Sequence, residues 1–321
     1  MSYPKISIAL CTNNGARFLP ELLKSLSNQV LMPGELVVCD DASSDSTISC
    51  INKYTADSKY PVKVIENSRR LGVLANYSRA ISYCKGDYVA LCDQDDIWFP
   101  EKLELTMQKM KEAESIYSTN LPLLVHTDLS VIDYSGKIIA KSYFKKRKLQ
   151  ENIEYPLKVL LTQNFVTGCT VLINRSLIKA ALPIPGNAVY HDWWLALIAA
   201  STGKIIFEPS ATLYYRQHDE NVIGPKGFYT WENITRLTKL KTLEQELGSA
   251  IKQAEALKER LIDLSDQNQV VDFLEDYLKA VYSGGGTAAK KALKYGIRMI
   301  GLIRNTVFIL LLLKGGYKSY L

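Results

Sequence analysis

The residues of this 321-residue chain best suited to chemistry are carboxylates, and they are clustered. Asp93-Gln94-Asp95-Asp96 puts three within four positions, directly after the apolar run Tyr88–Cys92. Two carboxylates two residues apart at the end of a strand can hold one hard divalent cation, which in turn grips two phosphate oxygens. Oxygen ligands of this kind suit Mg2+ and Mn2+. Asp40-Asp41-Ala42-Ser43-Ser44-Asp45 forms a second acidic group after another apolar run, and Glu66-Asn67 ends a third. Local structure explains part of this pattern, because Asp, Asn and Ser are favoured in turns and Ser44 or Asp45 could cap a following helix. Capping does not explain three Asp within four residues after a buried strand.

These groups must be positioned by the elements that precede them. Ile6–Cys11, Leu36–Asp40, Val62–Glu66 and Tyr88–Cys92 read as strands, alternating with helical patterns over Phe18–Gln29, Thr47–Tyr54, Val73–Cys84 and Glu101–Tyr117. This order predicts an α/β fold, a mostly parallel sheet covered on both faces. Such sheets bind ligands beyond the carboxyl ends of their strands. One sheet edge there collects at least five carboxylates together with Thr12-Asn13-Asn14-Gly15. Beyond Leu121 the pattern changes. Leu123–His126, Ser130–Asp133, Lys137–Ala140, Thr170–Ile173 and Lys204–Phe207 read as further strands, with a turn at Tyr134-Ser135-Gly136 and a helical run from His191 to Ser201. From Thr230 onward the chain reads as helix, with Leu240, Leu243, Leu247, Ile251, Ala254 and Leu257 spaced by threes and fours. Ser283-Gly284-Gly285-Gly286-Thr287 breaks that region and predicts a hinge.

Six motifs carry a resemblance. They are Cys11-Thr-Asn-Asn-Gly15-Ala-Arg-Phe-Leu, Asp40-Asp-Ala-Ser-Ser-Asp-Ser-Thr47, Asn67-x-Arg-Arg-Leu-Gly72-x-x-x-Asn76 and Cys92-Asp-Gln-Asp-Asp-Ile-Trp98-x-Pro100-x-Lys102-Leu, then His191-Asp-Trp-Trp194 and Tyr215-Arg-Gln-His218-x-x-Asn221. In this order and spacing, over roughly residues 3–225, the chain resembles family 2 glycosyltransferases of GT-A fold. The resemblance implies a Rossmann-like, mostly parallel central sheet that binds a nucleotide sugar. It implies that Thr12 and Asp41 line the nucleobase pocket, Asp41 accepting from the imide N–H of the base. Asn67 and Arg70 fall near the nucleoside, and Asp93 beside the donor ribose. Asp95 becomes the principal ligand of Mg2+ or Mn2+, and His218 a further contact to metal or diphosphate. Arg216 would neutralise leaving-group charge. Asp96 is either an extra carboxylate of the site or a cap for the helix that starts near Pro100.

Asp192 is the candidate general base. Inverting transfer needs one carboxylate to take the proton of the acceptor hydroxyl as that oxygen attacks the anomeric carbon. An N-cap for the helix that follows is the competing use of Asp192. Trp98, Trp193 and Trp194 are candidate walls for stacking sugar, or core residues. The Asp-Gln-Asp-Asp-Ile-Trp and Arg-Gln-His forms of the motifs look most like bacterial rhamnosyltransferases, which implies dTDP-L-rhamnose as donor and a lipid-linked saccharide acceptor in cell-surface polysaccharide synthesis. A UDP-hexose-dependent enzyme, or a non-catalytic sugar-nucleotide-binding assembly subunit, would share these features. A glycosidase also pairs carboxylates, but has no need of a strand-end cluster arranged for a nucleotide.

Composition sets the remaining expectations. Residues 1–225 read as the catalytic domain and residues 226–321 as a helical appendage. Cys11, Cys39, Cys50, Cys84, Cys92 and Cys169 are scattered without a Cys-x-x-Cys pair. They read as buried thiols in a reducing compartment, not as a disulfide framework or zinc site. Met1–Lys5 leads into a strand with no signal-like leader. The net charge of +6 resides in the tail, where residues 290–321 carry seven Lys and Arg and no acid. A nucleic-acid binder would spread its charge over the fold. Val307–Leu313 is continuously apolar but too short to span a bilayer. The tail therefore reads as an in-plane amphipathic anchor on the inner face of the bacterial plasma membrane, or as a helix of a core or a dimer interface.

Overall fold

The computed structural model describes residues 5–218, 237–264 and 268–321. In chain order the first half runs β1 (Ile6–Thr12), α1 (Leu19–Ser27), β2 (Glu35–Asp40), α2 (Thr47–Asp57), β3 (Val62–Glu66), α3 (Val73–Tyr83), β4 (Tyr88–Asp93), β5 (Ile97–Trp98) and α4 (Lys102–Tyr117). β1, β2 and β4 are mostly apolar because both faces are covered, whereas the edge strand β3 carries the exposed Lys63 and Glu66. Ile6, Ile8 and Leu10 of β1 pack with α1 and α4 on one face, and Ala9 packs with α3 on the other. β2 and β4 divide in the same way, Val38 and Cys92 to the first face and Val37 and Leu91 to the second.

Among the described residues the sheet has the order β3-β2-β1-β4-β8-β6-β9-β5, with β7 (Ile138–Ala140) paired to β6 (Leu123–Ile132). The remaining strands are β8 (Leu172–Asn174) and β9 (Lys204–Arg216). β1 to β4 are mutually parallel, whereas β8 runs antiparallel to both β4 and β6. The chain builds outward from β1 through β2 to β3 and then returns to lay β4 on the other side of β1. That reversal is a topological switch point, where open α/β sheets bind their ligands. The β1–β4 register sets Cys11 opposite Asp93, so both acidic loops leave the sheet at this crevice.

The second half differs from the sequence expectation in detail. Leu123–His126 and Ser130–Asp133 are parts of one strand, β6, whose pairing with β9 shifts near Asp128. β9 runs on to Arg216 and carries the chain back to the crevice. Three short helices, α5 (Tyr143–Arg147), α6 (Pro156–Leu160) and α7 (Arg175–Ala181), were not expected. The 3-10 turn Gly168–Thr170 replaces the start of the strand expected at Thr170. Helix α8 (His191–Thr202) lies against the second sheet face, and α9 (Leu237–Asp263), α10 (Asn268–Ser283), α11 (Gly285–Tyr295) and α12 (Leu302–Lys314) continue the same core. The break at Ser283–Thr287 is a tight turn between two packed helices, with Gly284 and Gly285 at positive φ.

One face of the tail takes the core alternative. Phe308, Leu311, Leu312 and Tyr317 are buried in a core shared with α8 and α9. Each such side chain contributes roughly 1.5–3 kcal/mol on burial, so this face is a structural part of the fold. Among the described residues no helix is long and apolar enough to cross a membrane.

Candidate active site

A cleft of about 440 Å³ opens at the switch point. Its near wall is the β1 loop, held by neighbouring loops. Gln94 pairs with the main chain of Asn13 at both ends of its amide, accepting at 2.8 Å and donating at 3.0 Å. A Cβ on Gly15 would overlap that amide, which explains the glycine. Thr12 donates to Asp40 at 2.7 Å, and Asp40 also accepts from Ser43 N and Oγ.

Asp41 lines the cleft and organises the loop after β3. Its carboxylate accepts from Asn67 Nδ2 (3.0 Å), Leu71 N (2.6 Å) and Gly72 N (2.8 Å). A carboxylate offers about four lone-pair positions, so one remains for a ligand N–H. Asn67 is buried behind Asp41, bridging it to Asn76, and does not line the cleft. Arg70 is exposed on the rim.

Asp93, Asp95 and His218 also line the cleft, beside the β1 loop. His218 Nε2 lies 2.7 Å from Asp95 Oδ2. Asp93 accepts from Tyr77 Oη, which also donates to Cys92 O. Burial and the neighbouring Asp95 hold the Asp93 carboxyl above the usual carboxylate range. Asp96 points away from the cleft, fully buried, with no hydrogen-bond partner for either oxygen. Burial and the charges of Asp95 and Asp93 push its proton affinity well up. It does not cap α4, whose N-cap is Glu101. Buried Lys102, which acts on Asp96, and His218, against Asp95, are positive or potentially positive groups beside these carboxylates.

Asp93, Asp96 and Cys169 also bring ligand atoms within 4.8 Å of one another. Cys169 is buried outside the cleft and burial keeps its thiol protonated, which does not suit a hard cation. The cleft-facing set Asp95, His218 and Asp93 fits a divalent ion bound to a diphosphate better.

Asp192 sits in the first turn of α8 and lines the cleft. It does not cap the helix, whose N-cap is Tyr190. Its carboxylate accepts from Trp193 N (2.6 Å), Gly168 N (2.9 Å) and Asn164 Nδ2 (3.1 Å), leaving one lone-pair position. Burial raises its pKa to about 7. A proton acceptor near neutrality is what general-base chemistry requires.

Residues 7–179, more than half of the chain, match the profile of Glycosyl transferase family 2. The chain belongs to that family. A Mycobacterium tuberculosis protein is 27% identical over 223 residues, 68% of this glycosyltransferase and 60% of that relative, so the chain spans less than two thirds of the mycobacterial protein's length. The Escherichia coli enzyme UDP-Glc:alpha-D-GlcNAc-diphosphoundecaprenol beta-1,3-glucosyltransferase WfgD is 27% identical over 191 residues, 59% of this chain and 68% of the enzyme. The mannosyltransferase PcManGT of Pyrobaculum calidifontis, solved with GDP-Man and Mn2+, superposes with a TM-score of 0.54 at 17% identity, covering 99% of this chain and 88% of that one. That likeness supports the GT-A fold: an α/β sheet, parallel around β1, followed by C-terminal helices.

Several expected roles in the glycosyltransferase need correction. Arg216 is buried and does not line the cleft. It pairs with Glu21 at 2.6 Å and donates to Asp95 O and Tyr134 O, so it braces the loop after β4. None of the three tryptophans lines the cleft. Trp98 is enclosed with Lys102 over its ring. Trp194 is fully buried and donates to Ala181 O, while Trp193 donates to Leu160 O and faces a second cavity of about 320 Å³. Asn221 lies outside the described residues.

Sequence reasoning missed Tyr77 and His191. Their rings stack at 3.7 Å, and both line the cleft. His191 is 8% exposed with neither nitrogen hydrogen-bonded, and burial lowers its pKa to about 3, so it is neutral. A Cβ on Gly168 would collide with it. His191 stood in a quoted motif, but only its contact with Tyr77, over a hundred positions away in sequence, gives it a place in the site.

Proposed function

We propose that this glycosyltransferase transfers a hexose from a nucleoside diphosphate to a sugar hydroxyl in one inverting displacement, and that Asp192 is its general base. The observation that carries this is the buried Asp192 carboxylate, raised toward pH 7 and facing the same cleft as Asp41, Asp93 and Asp95. Asp41 accepts from the base, with Thr12 and Arg70 beside it. Asn67 positions Asp41. Asp95 and His218 hold Mg2+ or Mn2+, which when bound stabilises the diphosphate charge. Asp192 orients the acceptor hydroxyl through its remaining lone pair and takes its proton.

The donor we infer is dTDP-L-rhamnose, supported by the form of the motifs. Thymine and uracil both present an imide N–H to Asp41, so the base contact alone does not separate this donor from a UDP-hexose such as the one in the name of the E. coli relative. That relative's name also carries a lipid-linked acceptor, which supports a role in surface-polysaccharide assembly at the cytoplasmic face of the membrane. The test is a panel of dTDP-L-rhamnose, UDP-glucose and UDP-N-acetylglucosamine with Mn2+, run on the wild type and Asp192→Asn. We expect transfer from dTDP-rhamnose, and a loss of about 10²–10⁴-fold in the variant with donor binding kept. Wild-type rate should rise with pH as Asp192 ionises, with its midpoint at or below about 7. The variant should lack that limb. Efficient transfer from a UDP-hexose with none from dTDP-rhamnose retires the donor reading. Normal turnover per folded Asp192→Asn molecule retires the base.

A further inference from the structure

Helix α12 has two apolar faces, and the fold covers only one. Phe308, Leu311 and Leu312 turn into the core. Leu302, Ile303, Leu310 and Leu313 lie on the other side of the helix by its 3.6-residue period, and they are 48–83% exposed. Only Thr306 interrupts the stripe. The solvent side of a surface helix ordinarily carries charged residues, and this one carries a single charge, Lys314 at its C-terminal end.

The surroundings of the stripe are basic. Of the tail's cations, Lys314 is 3.5 Å from Glu244 and Lys291 is 2.8 Å from Asp276, whereas Lys290 and Lys294 are exposed, Lys294 within electrostatic range of Asp276. A second basic segment, Lys141-Ser-Tyr-Phe-Lys-Lys-Arg-Lys148, contains α5 and no acidic residue. Tyr143 of α5 lies within electrostatic range of Arg304 in the first turn of α12.

The helix is also tied to the catalytic carboxylate. Arg298 N donates to Lys158 O (3.1 Å), Thr162 Oγ1 to Arg298 O (2.9 Å) and Ile300 N to Gln163 Oε1 (3.0 Å). The next residue, Asn164, donates to Asp192. Any surface that seats α12 is therefore held at a fixed distance from the cleft.

We propose that the outer face of α12, flanked by the α5 segment, is a docking surface for an anionic lipid bilayer. The helix lies in the membrane plane, with its four outer apolar side chains among the acyl chains and the lysines at the headgroups. A second copy is the poorer occupant, since a twofold contact would set one basic surface against another. Docking holds the Asp192 cleft at the headgroup layer, where a lipid-carried acceptor presents its sugar. That purpose rests on the acceptor proposed above, but the docking is measured without turnover.

The experiment is sedimentation of the full chain with vesicles of phosphatidylcholine alone and with 30% phosphatidylglycerol. Wild type should bind the anionic vesicles and lose binding as salt rises. L302S, I303S, L310S and L313S combined should weaken that binding at least tenfold, with thermal stability and transfer to a soluble acceptor kept. A second variant, K145Q/K146Q/K148Q, should flatten the salt dependence and leave the fold intact. Wild type that ignores anionic vesicles overturns the proposal. So does a dimer that the four serines convert to a monomer, which would assign the stripe to a second copy. Vesicle binding without transfer from any donor would instead leave the docking in place and sink the catalytic reading.

Discussion

In the loop after β2, each oxygen of Asp40, Asp41 and Asp45 has a hydrogen-bond donor from a neighbouring amide or hydroxyl. In the loop after β4 the same residue type is left short. Asp93 has one donor among the described residues, Tyr77, and neither oxygen of Asp96 has any. Both loops end parallel strands that flank β1 in one sheet, and both read in sequence as acidic turns. The first is a finished scaffold, whose carboxylates are used by the protein to shape its own loops beside the cleft. The second concentrates negative charge in a buried place, which raises proton affinity and favours positive partners such as Lys102, His218 or, on the proposed reading, a metal ion. Acidic composition alone does not separate these two kinds of loop; the supply of donors does.

The largest expected break in this contrast is at Asp95. Asp95→Ala should lower transfer by about 10³-fold or more, the equivalent of roughly 4 kcal/mol of charge stabilisation. The metal-free variant should be no less stable than wild type, since one of three crowded carboxylates is gone. Excess chelator should silence the wild type to a similar level, and Mn2+ should raise its melting temperature but not that of the variant. Full wild-type turnover in chelator would falsify the metal assignment.

The first half of the fold was legible because each strand is a short apolar run ended by polar residues. β1 to β4 and their helices fall within a few residues of the positions read from sequence. The second half was less legible for identifiable reasons. β6 is buried along its whole length, and its register with β9 shifts at Asp128, so neither alternation nor continuity marks it as one strand. Asp95 and His218 could be singled out through the motifs that carry the family resemblance, and Asp192 as the carboxylate opening a helix; all three line the cleft. The place of Arg216 could not, because its partner Glu21 is 195 positions away and only the folded sheet brings them together. The tail run Val307–Leu313 is apolar all round, so its sequence gives no sign of which face the protein core takes.

A smaller break is expected at Asp41. Asp41→Asn leaves one oxygen where three N–H groups converge and turns an amide against the remaining donors. Hydrogen bonds to a charged group are worth about 1.5–3 kcal/mol, so denaturant unfolding should show a loss of roughly that size. Nucleotide affinity, read by calorimetry, should fall as the Leu71–Gly72 segment loosens. This is the reverse of Asp95→Ala, in which catalysis falls and stability holds. An Asp41→Asn protein as stable as wild type would show that the β2 loop is not the finished scaffold its hydrogen bonds describe.

The smallest break is at Tyr77, which joins the two kinds of loop. Its hydroxyl is the one protein donor to Asp93 among the described residues, and its ring is stacked on His191 beside Asp192. Tyr77→Phe keeps the ring and therefore the stack, and removes only the hydroxyl. Asp93 then loses its orienting donor, and Cys92 O loses a partner as well. A bound cation would compensate part of this, because it supplies the positive charge the carboxylate lacks. The expected result is a Mn2+-dependent nucleotide affinity weakened by roughly 3–10-fold, within the 1.4 kcal/mol of a tenfold change, with turnover at saturating donor and metal nearly unchanged. Tyr77→Leu should do more, because it also removes the ring that seats His191 against the wall of the Asp192 site, and it should lower turnover itself. Equal behaviour of the two variants would mean that the hydroxyl contributes everything and the stack nothing. Loss of turnover in Tyr77→Phe at saturating metal would place Tyr77 in the displacement step and not in the positioning of Asp93.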